Sequence, residues 1–222
     1  MAITTMNNLP IPRAIIFDWD NTLVDTWPTI QEALNKTFAH MGYEPWDMET
    51  VKQRVARSMR DSFPDIFGEN WQDAATYYQN SFRAIHLERL TALPGAADIL
   101  AYLSGKPVYL AIASNKKGPN LRIETAHIGW DKYFGNIVGA DDTPKDKPAP
   151  EPVHAALKDS GIVPGRDVWF IGDSPIDMEC AHRSGCTPVF YGELPQKPLA
   201  YPFSKHVENH AQLQELLDSL LK

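Results

Sequence analysis

Four short runs in this chain are apolar from end to end: 14–17 (AIIF), 108–113 (VYLAIA), 168–171 (VWFI) and 187–191 (TPVFY). A strand with one wet face alternates apolar and polar residues, so a run without alternation belongs to a strand covered on both faces, as in a parallel sheet wrapped by helices. Helical spacing recurs between and after the later runs, at 120–127, 150–160, 176–184 and 211–221, and a weaker strand fits 135–140. Strands alternating with helices imply right-handed βαβ units and an α/β fold with a Rossmann-like parallel sheet. From Trp27 to about Thr91 the pattern changes. Apolar residues there recur at helical spacing only (Ile30, Leu34, Phe38, Met41; then Trp71, Ala75, Tyr78, Phe82, Ile85). This stretch predicts an inserted all-helical cap, residues 26–91, in a core formed by 1–25 and 92–222, with Trp27, Trp71, Tyr77, Tyr78 and Phe82 building the cap's interior.

With 222 residues, 43% of them hydrophobic, the chain can bury a sizeable core. A net charge of −7 and no Lys/Arg cluster argue against nucleic acid or an anionic membrane surface as partner. Cys180 and Cys186 lie in a helix-then-strand segment and suggest neither a disulfide framework nor a metal site. With no signal-peptide pattern and no apolar stretch of about 18 residues, the expected location is the cytoplasm. No feature of the sequence speaks to oligomeric state.

Ligands of a parallel sheet bind beyond the carboxyl ends of its strands, and polar residues gather there. Asp18 and Asp20 follow the first run, Ser114 and Asn115 the second, and Asp173 and Ser174 the third, with Asp177 four residues after Asp173. Asp18 and Asp20, two apart in extended chain, point to one side. With Asp173 added they repel unless a cation or proton intervenes. All-oxygen donors suit Mg²⁺ rather than Zn²⁺. Ser114, Asn115 and a lysine from 145–147 supply what a phosphoryl group requires. Metal, anion donors and a free carboxylate together indicate phosphoryl transfer to or from a small phosphorylated molecule.

The segments FDWDNT, IASN, KPAPE and GDSPID, in that order, resemble the four motifs of the haloacid dehalogenase superfamily, and the cap's position resembles the branch that includes phosphoglycolate phosphatase and β-phosphoglucomutase. The resemblance implies Asp18 as nucleophile forming an aspartyl-phosphate and Asp20 as general acid and base. It implies Thr22 as support, Ser114 and Lys147 on the phosphate, and Asp173 completing the Mg²⁺ shell with Asp18 and the backbone carbonyl of Asp20. Asp177 would support that shell or fix the lysine. Lys147 is preferred to Lys145 because Pro148 and Glu151 then fall in the family spacing. Asn21 stands where relatives often carry Gly, and Asn tolerates positive φ. In the cap, Arg57, Ser58 and Arg60 are candidates for binding an anionic group of the substrate. The implied activity is a Mg²⁺-dependent phosphatase; the alternatives are a phosphomutase or a non-catalytic phosphoryl acceptor. Asp20 argues against a dehalogenase or phosphonatase, and Lys52 is poorly spaced for the latter's Schiff base.

Overall fold

The uninterrupted runs pair with one another. The computed structural model describes residues 9–55, 58–195 and 197–221. It begins with β1 (Ala14–Phe17) and the two-residue β2 (Val24–Asp25), followed by four helices: α1 (Trp27–Met41), α2 (Met48–Arg54), α3 (Met59–Phe67) and α4 (Trp71–Ile85). The chain returns through β3 (Thr91–Ala92) to α5 (Ala96–Ser104), β4 (Tyr109–Lys117), α6 (Gly118–His127), β5 (Asn136–Ala140) and α7 (Glu151–Ala156). It ends with β6 (Val168–Gly172), α8 (Pro175–Ser184), β7 (Thr187–Tyr191), β8 (Lys205–Val207) and α9 (His210–Leu220).

Six strands form one parallel sheet in the order β5-β4-β1-β6-β7-β8. Alternation sends successive residues to opposite faces. Ile15, Phe17, Leu110, Ile112, Trp169 and Ile171 pack with Leu100 of α5, Leu121 of α6 and Leu213 of α9. Ala14, Ile16, Ala111, Ala113, Val168 and Phe170 pack with Val153 of α7 and Cys180 of α8. Both faces are therefore dry, which is why these runs carry no polar alternation.

The 27–85 segment is all-helical and holds its own apolar cluster, built on Leu34, Phe38, Val51, Phe63, Phe67 and Ala74. Trp27, Trp71 and Tyr78 pack against it, and Phe82 is buried. Tyr77 instead stacks on His40, with centroids 4.0 Å apart. The two chain crossings into and out of this segment pair as the antiparallel β2–β3 ladder.

Several elements differ from the sequence reading. β4 runs on past Ala113 to Lys117 through a register irregularity, so Ser114 and Asn115 sit within a kinked strand end rather than after it. α7 stops at Ala156 instead of reaching 160, and the chain turns at Asp159, where φ is 64°. Neither α5 nor β8 was anticipated; β8 is three residues long and includes Lys205 and His206, too short and polar to register as a buried run. Among the described residues, no helix is long and apolar enough to cross a membrane.

Candidate active site

Register assembles the site. Phe17 pairs with Ile112 on one side and Ile171 on the other, so Asp18 is the first residue beyond β1, with Ser114 and Asp173 emerging beside it. The Asp18 N–H still donates to the Ile171 carbonyl at 2.9 Å, which fixes where its side chain leaves the sheet. The loop that follows is closed by local hydrogen bonds: Leu23 N–H to the Trp19 carbonyl (3.0 Å) and Asn21 N–H to the Val24 carbonyl (2.7 Å). Asn21 turns it at φ 60°, the conformation for which Asn is suited.

Lys147 is the cation at the bottom of the site. It is buried, and its Nζ lies 2.9 Å from Asp18 Oδ1 and 2.7 Å from Asp177 Oδ1. Burial alone would strip its proton, but Asp177 and Asp18 outweigh that and push its pKa up. Lys145 is largely exposed and faces Glu151 at 3.8 Å, so Lys147 is the lysine at the site. Asp177 is fully buried at the third position of α8. Its Oδ2 accepts from the Ser174 N–H (3.0 Å) and hydroxyl (2.6 Å), a capping box. It thus ties the lysine to a helix N-terminus. A Cβ on Gly172 would collide with the Asp177 carboxyl, which explains a glycine at the end of β6.

Asn115, expected among the phosphate donors, is engaged elsewhere. Its Oδ1 accepts the Lys147 N–H (3.0 Å) and its Nδ2 donates to the Lys147 carbonyl (3.1 Å), so its side chain holds the lysine's backbone. Ser114 is buried and lines the cavity; its Oγ accepts the Lys116 N–H at 3.3 Å. The Thr22 hydroxyl donates to Asp173 Oδ1 at 3.2 Å and orients that carboxylate.

Carboxylate oxygens of Asp18, Asp173 and Asp177 lie within 4.8 Å of one another. Burial, opposed by Lys147 and reinforced by Asp177 and Asp20, pushes Asp18 up from 3.8 to about 6. Asp173 is raised well above the usual range by burial, Asp177 and Asp18. Such shifts mark a cluster short of positive charge, and its all-oxygen donor set fits a hard divalent cation. Both Asp177 oxygens are already engaged, which leaves Asp18 and Asp173 as the carboxylates for the ion. Asp20, expected to reach the metal through its backbone carbonyl, keeps its side chain out of the cluster: its Oδ1 accepts from the Thr26 hydroxyl (2.6 Å) and faces Lys116 Nζ (2.7 Å).

Helices α1–α4 and the sheet end enclose a cavity of about 910 Å³ lined by Asp18, Asp20, Ser114, Lys147 and Asp173 below and by Trp27, Ser58, Arg60, Phe63, Tyr78 and Phe82 above. Trp27, Tyr78 and Phe82 therefore face substrate space as well as packing the helices. Arg60 reaches down to the core: Nε lies 2.7 Å from buried Asp146 Oδ2 and Nη1 lies 3.4 Å from Asp141 Oδ1. Most of its guanidinium is thus spent on core carboxylates, although Nη2 is buried with no hydrogen-bond partner among the described residues. The Ser58 hydroxyl donates to Asp61 at 3.1 Å. Arg57 lies outside the described residues. Lys52 lines the cavity over the Trp27 ring.

Sequence reasoning missed Lys116 and Glu124. Buried Lys116 joins Asp20 to Glu124 Oε2, 2.6 Å away. Lys116 is two residues past Ser114 on the same extended strand end, and this spacing was the available signal.

With that geometry in hand, residues 15–190 match the model of a family described as haloacid dehalogenase-like hydrolase. A phosphoglycolate phosphatase 1 of Pseudomonas aeruginosa is 31% identical over 203 residues, covering 86% of this chain and 74% of that one. A phosphoglycolate phosphatase of Chromobacterium violaceum is 29% identical over 83% of this chain and 87% of its own. Among solved structures, a hydrolase of this superfamily from Ehrlichia chaffeensis is 32% identical, with TM-score 0.66 over 96% of this chain and 98% of that one. A dehalogenase-like hydrolase of Bacteroides fragilis shares the fold, with TM-score 0.84 at 21% identity over 91% and 99% of the two chains.

Proposed function

Starting from a chain that belongs to the haloacid dehalogenase-like hydrolases and is a phosphoric monoester hydrolase, we propose that it hydrolyses a small phosphorylated metabolite resembling phosphoglycolate, through a phosphoenzyme on Asp18. The observation that carries this is the pairing at one strand end of a carboxylate held by a buried lysine, Asp18 with Lys147, and a second carboxylate, Asp20, anchored away from that lysine.

Asp18 attacks phosphorus as the bond to the leaving oxygen breaks. Asp20 gives that oxygen a proton, then takes one from the water that attacks the aspartyl-phosphate and frees Asp18. Lys147 and the Ser114 hydroxyl hold the phosphoryl oxygens, while Asn115 and Asp177 hold Lys147. Asp18, Asp173 and the Asp20 carbonyl would bind Mg²⁺, which supplies charge neutralisation at the phosphoryl group. Residues 26–91 act as a cap unit over the core, with Ser58 and Arg60 on its substrate side. The named activities of the relatives support the choice of substrate class.

The test is phosphate release from a panel of phosphorylated metabolites, with Mg²⁺ or chelator, by the wild type and Asp18→Asn. Metal-dependent release that the variant loses is the expected result. Equal rates in the two proteins would refute the assignment of Asp18.

A further inference from the structure

Behind Asp20 runs a buried chain of polar groups that the proposed chemistry leaves without a part. Lys116 Nζ sits 2.7 Å from Asp20 Oδ1 and 2.6 Å from Glu124 Oε2. The Trp19 indole N–H donates to the same Glu124 oxygen at 2.7 Å, and His86 Nδ1 lies 2.7 Å from Glu124 Oε1. The Lys116 ammonium also lies over the Phe82 ring, 4.9 Å from its centroid. Glu124 is 1% exposed and Lys116 9%. Placing a lysine between two carboxylates away from water is costly and is tolerated only with close geometry on every side. For Glu124, burial would raise the carboxyl, but Lys116, His86 and Trp19 more than offset it, so the group stays charged.

The arrangement is directional. Among the described residues, both donors to the Asp20 carboxylate, Thr26 and Lys116, reach Oδ1. Oδ2 is left to carry a proton into the cavity that Asp20 lines. Glu124 fixes the ammonium from the opposite side, so the lysine cannot swing toward the phosphoryl oxygens and add to the work of Lys147. We infer that Lys116, anchored by Glu124, is a positioning residue that holds Asp20 by one oxygen so that the other faces the leaving group. This rests on Asp20 being the proton donor proposed above.

A residue that positions a proton donor matters in proportion to how badly the leaving group needs the proton. An alkoxide needs it; p-nitrophenolate leaves nearly unaided. A positioned general acid contributes about 10²- to 10⁴-fold, and misplacing it forfeits part of that. Lys116→Met would leave Asp20 and Glu124 without their cation and risks misfolding, so it is paired with Lys116→Met/Glu124→Gln, which removes one charge of each sign and keeps the wild-type balance. The assay compares kcat and KM for phosphoglycolate, or for the fastest alkyl phosphate of the panel, with those for p-nitrophenyl phosphate. For the folded double variant, kcat on the alkyl phosphate is expected to fall about 30-fold, and on the aryl phosphate less than about 3-fold, with KM within about 2-fold for both. Asp20→Ala run alongside is expected to show the same selectivity with a larger loss. Equal losses on both substrates, or no loss, in a folded double variant would overturn the role of Lys116 while leaving Asp20 in place. Full alkyl phosphate turnover by Asp20→Ala would overturn the assignment of Asp20, and this inference with it.

Discussion

Withholding a divalent metal should cost the protein more stability at pH 6 than at pH 4. Without a cation, burial and the neighbouring carboxylates lift Asp18 from 3.8 to about 6, and Asp173 rises as well. A carboxyl whose pKa is higher folded than unfolded binds more protons in the native state, so its contribution is favourable at low pH. That contribution is lost as pH rises from the unfolded value through the folded one. At about 1.4 kcal/mol per pH unit, Asp18 alone accounts for up to about 3 kcal/mol. A bound divalent ion replaces the proton, so the stability gained on adding Mg²⁺ should grow across the same interval and level off above it. Groups of opposite behaviour, such as Glu124 with its lowered pKa, contribute equally with and without metal and cancel in the difference. The assay is urea unfolding across pH 4 to 8 in chelator and in saturating Mg²⁺, repeated on Asp18→Asn. A Mg²⁺ stabilisation independent of pH, or an undiminished pH dependence in Asp18→Asn, would refute the reasoning.

Asp177→Ala removes both the α8 capping box and one of the two anions on buried Lys147; a loss of about 2–4 kcal/mol is expected in urea unfolding. Arg60→Ala releases the bridge to Asp146 and Asp141 near the mouth of the site. Because the Asp146 carboxylate it pairs with is buried, stability should fall by about 1–3 kcal/mol, and KM for an anionic alkyl phosphate should rise about tenfold in steady-state kinetics, equivalent to about 1.4 kcal/mol of binding.

The floor of the cavity was legible because it is built from strand ends. Asp18, Ser114 and Asp173 each follow an apolar run directly, and a parallel register fixes them side by side without further information. What lay beyond reading depends on which side chain fills which hydrogen bond. Asn115 carries the donors and acceptors of an anion ligand, yet the kink in β4 turns its amide onto the backbone of Lys147, 32 residues later in the chain. Trp19 and Glu124 are 105 residues apart, and nothing local to α6 distinguishes Glu124 from an exposed glutamate. Arg60 read as a cation for substrate because its 2.7 Å partner Asp146 lies 86 residues later in the chain, in a segment with no local link to α3.

These long-range contacts have a consequence for how the helical segment relates to the chemistry. Among the described residues it meets the floor of the cavity through α3, where Arg60 reaches Asp146, the residue before Lys147, through the C-terminal end of α4, where Phe82 and His86 reach the Lys116–Glu124 pair behind Asp20, and through Thr26, whose hydroxyl donates to Asp20. Lys147 beside Asp18 and Lys116 beside Asp20 are thus each flanked by a group from the inserted helices. The crossings into and out of those helices are tied together as Val24–Ala92 and Asp25–Thr91, two residues before α1. Lys116 and Lys147 hold their charges only while desolvation is outweighed by nearby carboxylates. Water admitted at either contact would weaken those ion pairs, because charge–charge energies scale inversely with the local dielectric.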